Sequence, residues 1–160
     1  MTLTYGIEGP RDVLAKARRE RDRLERALKA QVNPEISDAL FNFSVTVFHV
    51  QDWLIKCRAG DYTQEDVKTF IHSDPAIRAF HDLCTQGKHN EIKWFDPVTA
   101  SITSSSVGDY TLMHLPMTEG SIRPFVVKHV ALDGTKQDIL KIADDALTAW
   151  ERFFEKYNVA

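Results

Sequence analysis

The chain has 160 residues, enough for one domain that buries its own core without staples. Apolar residues make up 43% and charged residues 27%, an ordinary soluble balance, and the formal net charge of −3 carries no global mark of a nucleic-acid binder. The two cysteines, Cys57 and Cys84, form no C-x-x-C arrangement, which argues against a disulfide framework or a zinc ribbon and for reduced thiols in a cytoplasm.

The opening MTLTYGIEGPRD has no basic stretch followed by an apolar core, so no signal peptide is expected. No apolar run approaches bilayer length, so no membrane partner is expected and the placement is cytoplasmic. A first helix is predicted over 10–31, with Pro10 in its first turn. Leu14, Ala17, Leu24 and Leu28 share a narrow stripe that Arg21 interrupts. Between Arg11 and Lys29 there are eight basic and four acidic residues. The favoured reading is a solvated helix with charge pairs one turn apart. The alternative is a basic face for phosphates or an acidic partner.

Asn33-Pro34-Glu35 starts a second helix over 34–59. Its polar stripe on a helical wheel is thin, carrying Asp38, Asn42, Thr46, His49 and Lys56 with Trp53 among them. The rest is apolar, which predicts the central helix of a bundle. Asp52 falls between Phe41 and Val45, at the margin of the apolar arc, where a carboxylate needs a partner. A third helix (63–72) starts at a Thr63 cap, and a fourth (74–87) restarts at Ser73-Asp74-Pro75 with Ile77, Phe80, Leu83 and Cys84 inward. Gly87 is its expected stop, unless the glycine is tolerated and Lys88 and His89 belong to the last turn.

From Val98 the pattern alternates and is rich in β-branched and aromatic residues. Strands at 98–104, 110–115 and 122–131 predict a three-stranded antiparallel meander, which Asp133-Gly134 breaks. The clearest amphipathic pattern follows, a helix over 136–157 with Ile139, Ile142, Ala143, Ala146, Leu147, Trp150, Phe153, Phe154 and Tyr157 on one side. The expected fold is α+β and mainly α: a single domain over 1–160, a four- to five-helix bundle with the β-meander inserted before the last helix.

No Gly-rich phosphate loop, nucleophile elbow or H-E-x-x-H is present. No two of the six histidines sit at i,i+4 on a helix, so no metal or cofactor is expected. His81-Asp82 invites comparison with metal-dependent HD phosphohydrolases, with His49 as a first ligand and Asp144 or Asp145 as a last.

FHVQDWL (48–54) on a central helix, then a helix ending in DLCTQGKH (82–89), resembles uncharacterised bacterial proteins related to the HEPN helical superfamily. That pattern has a Trp soon after an Asp on one helix and a Lys-His pair closing a later one, then a β insertion and a final Trp-bearing helix, as Trp150 provides. HEPN ribonucleases carry an Arg followed roughly four to six residues later by a helical His. This chain departs from that. Arg78 is too near His81 and too far from His89, and Arg123 to His129 lies on a predicted strand containing Pro124. The resemblance therefore implies a fold more firmly than a reaction.

The favoured role of Lys88 and His89 is structural: capping the fourth helix, or neutralising Asp52. The functional alternative is a site in which His49, Asp52, Lys88 and His89 converge, with Trp53 as a stacking wall and Lys88 holding phosphate. Cys57 and Cys84 are expected to be buried apolar residues, and Trp150, Phe153 and Phe154 core. The functional expectation is a HEPN-like module, homodimeric through helix one or two, binding RNA, a nucleotide or a protein partner in bacterial stress or defence. The alternatives are a metal-independent RNase using His49, His89 and Lys88, or an HD-type phosphohydrolase.

Overall fold

The computed structural model describes residues 6–31, 33–89, 129–132 and 135–160; at 33, 86–89, 129–132 and 135–136 it describes the backbone alone. The elements run α1 (Pro10–Ala30), α2 (Asn33–Cys57), α3 (Gln64–Ser73), α4 (Pro75–His89), β1 (His129–Leu132), β2 (Thr135–Asp138) and α5 (Ile139–Lys156).

Short-range chemistry sets most boundaries. Gln31 turns left-handed at φ 58° and its N–H bonds the Ala27 carbonyl, closing α1. At the head of α3, Thr63 Oγ1 accepts from the Asp66 N–H at 3.1 Å while Asp66 Oδ2 accepts from the Thr63 N–H at 2.8 Å. Asp74 Oδ1 accepts the Ala76 and Ile77 amides of α4 at 3.0 and 3.1 Å, and Asp138 Oδ1 accepts the Leu140 and Lys141 amides of α5 at 2.8 and 3.2 Å.

The molecule is mainly helical. α1 and α2 form an antiparallel αα-hairpin, and α5 runs back along α1, where Arg18 meets Glu151 and Arg21 meets Asp144. The inner arc of α2, with Ile36, Ala39, Leu40, Phe43, Val47, Val50 and Leu54 all buried, makes it the central helix that the composition predicts. Phe43 meets Phe80 of α4 edge to face at 4.7 Å, and Phe70 of α3 lies against Trp150 and Phe153 of α5 at 5.2 and 5.0 Å. Trp150, Phe153 and Phe154 are core, as expected.

Four expectations need correction. Gly87 does not stop α4, which continues through His89; a helix interior absorbs one glycine at a cost of about 1 kcal/mol. Among the described residues the sheet is a two-stranded hairpin, β1 against β2, with Leu132 opposite Thr135 and His129 opposite Asp138. Strands 98–104 and 110–115 lie outside the described residues, and 122–131 overlaps β1 only at its last three positions. Asp133-Gly134 separates two strands in sequence rather than ending the β region, so the last helix starts at Ile139 instead of Lys136. Cys84 is buried as expected, but Cys57, the last residue of α2, is exposed.

The segment after α5 ties the bundle shut. The Asp61 N–H donates to the Tyr157 carbonyl at 2.7 Å, the Ala160 N–H to the Ala59 carbonyl at 3.0 Å, and Arg11 Nε to the Val159 carbonyl at 2.9 Å. The turn between α2 and α3 and the first turn of α1 thus share one anchor.

Candidate functional site

At 100° per residue, Asp38, Phe41, Asn42, Val45, His49, Asp52, Trp53 and Lys56 occupy one arc of about 120° on α2. Every one of them is exposed or half-buried, while the opposite arc is core. Of the polar stripe read from the wheel, Thr46 alone turns inward: it is buried and accepts a 2.7 Å hydrogen bond from Lys16 Nζ.

The outer face is wider than the polar stripe suggested. Phe41 and Val45 lie on it rather than in the core, and Phe41 is 42% exposed. Asp52 between them is therefore 60% exposed, not a half-buried carboxylate in need of a charge. It lies 3.8 Å from His49 Nε2 within its own helix, and that imidazole is 42% exposed. Trp53 is half-buried against the core with Lys56 Nζ 5.6 Å from its ring centre. Phe48, beside this face, meets the His81 ring of α4 at 4.8 Å. Lys88 and His89 sit in the last turn of α4. Their side chains, and so their meeting with Asp52 or His49, lie outside what the structure describes.

His81 and Asp82 bond each other, Nδ1 to Oδ1 at 2.9 Å, and Asp82 is buried with Oδ2 accepting no hydrogen bond from the described residues. The acids considered as further ligands are engaged elsewhere. Asp144 takes both Arg21 Nε and Nη2 at 2.7 and 2.9 Å, and Asp145 takes Lys141 at 2.6 Å. Among the described residues no three His, Cys, Asp or Glu side chains are placed to share a metal ion.

The charged helix α1 settles into ion pairs. Lys16 and Arg23 both bond Glu20 Oε1, at 2.9 and 2.6 Å; Lys29 and Arg21 hold Glu25; Arg18 crosses to Glu151 at 2.6 Å. Glu20 itself is buried at 2% exposure, with Oε2 accepting no hydrogen bond from the described residues. Burial pushes its carboxyl up, but hydrogen bonds and charge from Lys16 and Arg23 outweigh that and hold it below the ordinary range. Asp144 chiefly raises the Arg21 guanidinium further against loss of its proton. The pairing of acids and bases one turn apart was readable; Glu20 as the buried member was not, because the Lys16 that holds it is itself anchored by Thr46 of another helix.

Between α3 and α5 lies a groove of about 470 Å³ with Phe70, Phe153 and Tyr157 as its apolar floor and Asp66, Arg152 and Lys156 at its rim. Tyr157 donates to Asp66 Oδ1 at 3.2 Å across it. No pattern along the chain signals this groove, whose walls come from residues nearly a hundred positions apart.

No described helix is long and apolar enough to cross a membrane. Comparison with family models, with curated proteins and with solved structures finds no match to this chain.

Proposed function

We propose that the chain is a non-enzymatic helical interaction module, HEPN-like in its bundle, that works in bacterial stress or defence by binding a protein through the outer face of α2. The observation that supports this reading is Phe41. It is the one exposed large hydrophobic side chain among the described residues, and it stands on a face that mixes aromatic, acidic and basic groups. Protein-binding surfaces favour that mixture, with aromatic residues enriched at their centres. RNA is a weaker fit, because Arg18, Arg21, Arg23 and Lys29 of α1 already hold acids of this chain.

The test is in-cell photo-cross-linking with a photoreactive residue at position 41, against a control at Arg152, an exposed position of α5. Discrete protein adducts at 41 and none at 152 support the reading. No adduct at 41 overturns it.

A second reading keeps His49 as a general acid or base, favoured by its half-exposed ring 3.8 Å from the Asp52 carboxylate. Purified protein is incubated with RNA with and without EDTA. Metal-independent cleavage lost in His49→Ala or His89→Ala makes the chain an RNase; metal-dependent phosphatase activity points instead to the His81-Asp82 alternative.

A further inference from the structure

The groove between α3 and α5 is built like a small-molecule site. Its volume of about 470 Å³ falls within the usual size of ligand pockets. Phe70, Phe153 and Tyr157 make a continuous aromatic floor, with ring centres 5.0 Å apart from Phe70 to Phe153 and 4.6 Å from Phe153 to Tyr157. Phe70 and Tyr157 are half-buried, so part of that floor opens to the groove rather than the core.

The two lips differ in charge. On α5, Arg152 and Lys156 are both exposed and stand one helical turn apart, two cations on one lip. On α3, Glu65, Thr69 and Ser73 recur every four residues, so one acid and two hydroxyls line the facing lip. The cations are lightly held. Arg152 Nη2 reaches Asp74 Oδ2 at 3.4 Å, a long bond that takes one of the five guanidinium donors. Lys156 Nζ lies 4.6 Å from the centre of the Tyr157 ring. Asp66 is already committed: it accepts from the Thr63 amide and hydroxyl at 2.8 and 2.6 Å and from the Tyr157 hydroxyl at 3.2 Å.

We propose that this groove binds a small aromatic monocarboxylate, with its ring on the floor and its carboxylate between Arg152 and Lys156. Like charges one turn apart repel, and an anion seated between them turns that repulsion into attraction for both. Arg152 supplies a planar fork for the carboxylate and Lys156 a point charge. A flat ring can meet the tilted floor rings edge to face. The acids select one negative charge over two, because Glu65 and Asp66 on the facing side repel the second charge of a phosphate. The site shares no residue with the outer face of α2, so it stands or falls apart from the docking reading.

Calorimetric titration of the full chain with indoleacetate is the test. A ligand of that size in an open groove is expected to dissociate at roughly 0.1–1 mM. Indoleacetamide, which keeps the ring and loses the charge, binds at least about tenfold more weakly. Naphthyl phosphate, of similar size with two charges, also binds more weakly than indoleacetate. Arg152→Gln and Lys156→Gln each weaken indoleacetate about three- to tenfold and leave the amide unchanged. Thr69→Trp fills the groove from an exposed position of α3 and removes saturable binding of both ligands. Circular dichroism checks that the helices remain in each variant. In nuclear magnetic resonance spectra, indoleacetate shifts the amide signals of Phe70 and Phe153.

No saturable binding of indoleacetate up to about 10 mM overturns the proposal. Equal binding by the amide, or tighter binding by the phosphate, overturns it too. Binding that survives Thr69→Trp, or that neither glutamine variant weakens, places the ligand elsewhere and has the same effect.

Discussion

Trp150 donates its indole N–H to the Val47 carbonyl at 2.9 Å, joining α5 to the middle of α2 through the centre of the core. The indole is fully buried, so its polar atom needs this acceptor. Val47 lies inside α2, where its carbonyl also serves the helical ladder. Trp150→Phe therefore strands no acceptor, and its cost comes from lost volume and one lost bond. We expect about 2 kcal/mol from urea unfolding, against about 3–5 kcal/mol for Trp150→Ala. A cost for Trp150→Phe equal to that of the alanine variant would show the hydrogen bond, not packing, to be decisive.

Glu20 makes the fold sensitive to acid. Its carboxyl is held below the ordinary 4.5 in the folded chain, so the unfolded chain takes up protons first as pH falls. The stabilisation is complete above about pH 4.5 and is lost as pH drops through the lower folded value. Glu25 and Asp66 are shifted in the same direction, the first by Lys29 and then Arg21, the second chiefly by Thr63, and they add to the same acid limb. Glu20→Gln should flatten part of that limb. At neutral pH it should cost about 1–2 kcal/mol, less than a fully enclosed pair would, because Lys16 and Arg23 reach solvent. Thermal unfolding at pH 7 and at pH 3 reads both effects. An unchanged slope between those two points would show that Glu20 does not carry the acid response.

Gly60 lies where backbone approaches backbone. A Cβ there would meet the Tyr157 carbonyl oxygen at 2.7 Å and the Tyr62 ring at 2.9 Å. The ring can turn, but the carbonyl is fixed by the bond it accepts from the Asp61 N–H. Gly60→Ala should cost about 1–3 kcal/mol. Hydrogen exchange should quicken first at the Asp61 and Ala160 amides, the two that bridge this turn and the tail. Slow exchange retained at both amides would place the strain elsewhere.

Helices were the legible part of this chain, because their ends are written in local chemistry. Thr63, Asp74 and Asp138 cap through their own side chains, and Pro10 opens α1. Only the role of Asp138 went unread, since the alternation around it ran on into the helix pattern. The site was less legible. A wheel gives the angle between Asp52 and Val50 but not which arc the neighbouring helices cover. Phe41 and Val45 look like core by residue type, and only the placement of α1, α4 and α5 leaves them outside.

The grip of α5 has a consequence for how this chain can change over time. Trp150 on Val47, Arg21 on Asp144 and Arg18 on Glu151 fix that helix axially and in rotation against the α1–α2 hairpin. These contacts lie at two levels of α5, so a substitution that removes one of them loosens the helix without letting it slip in register.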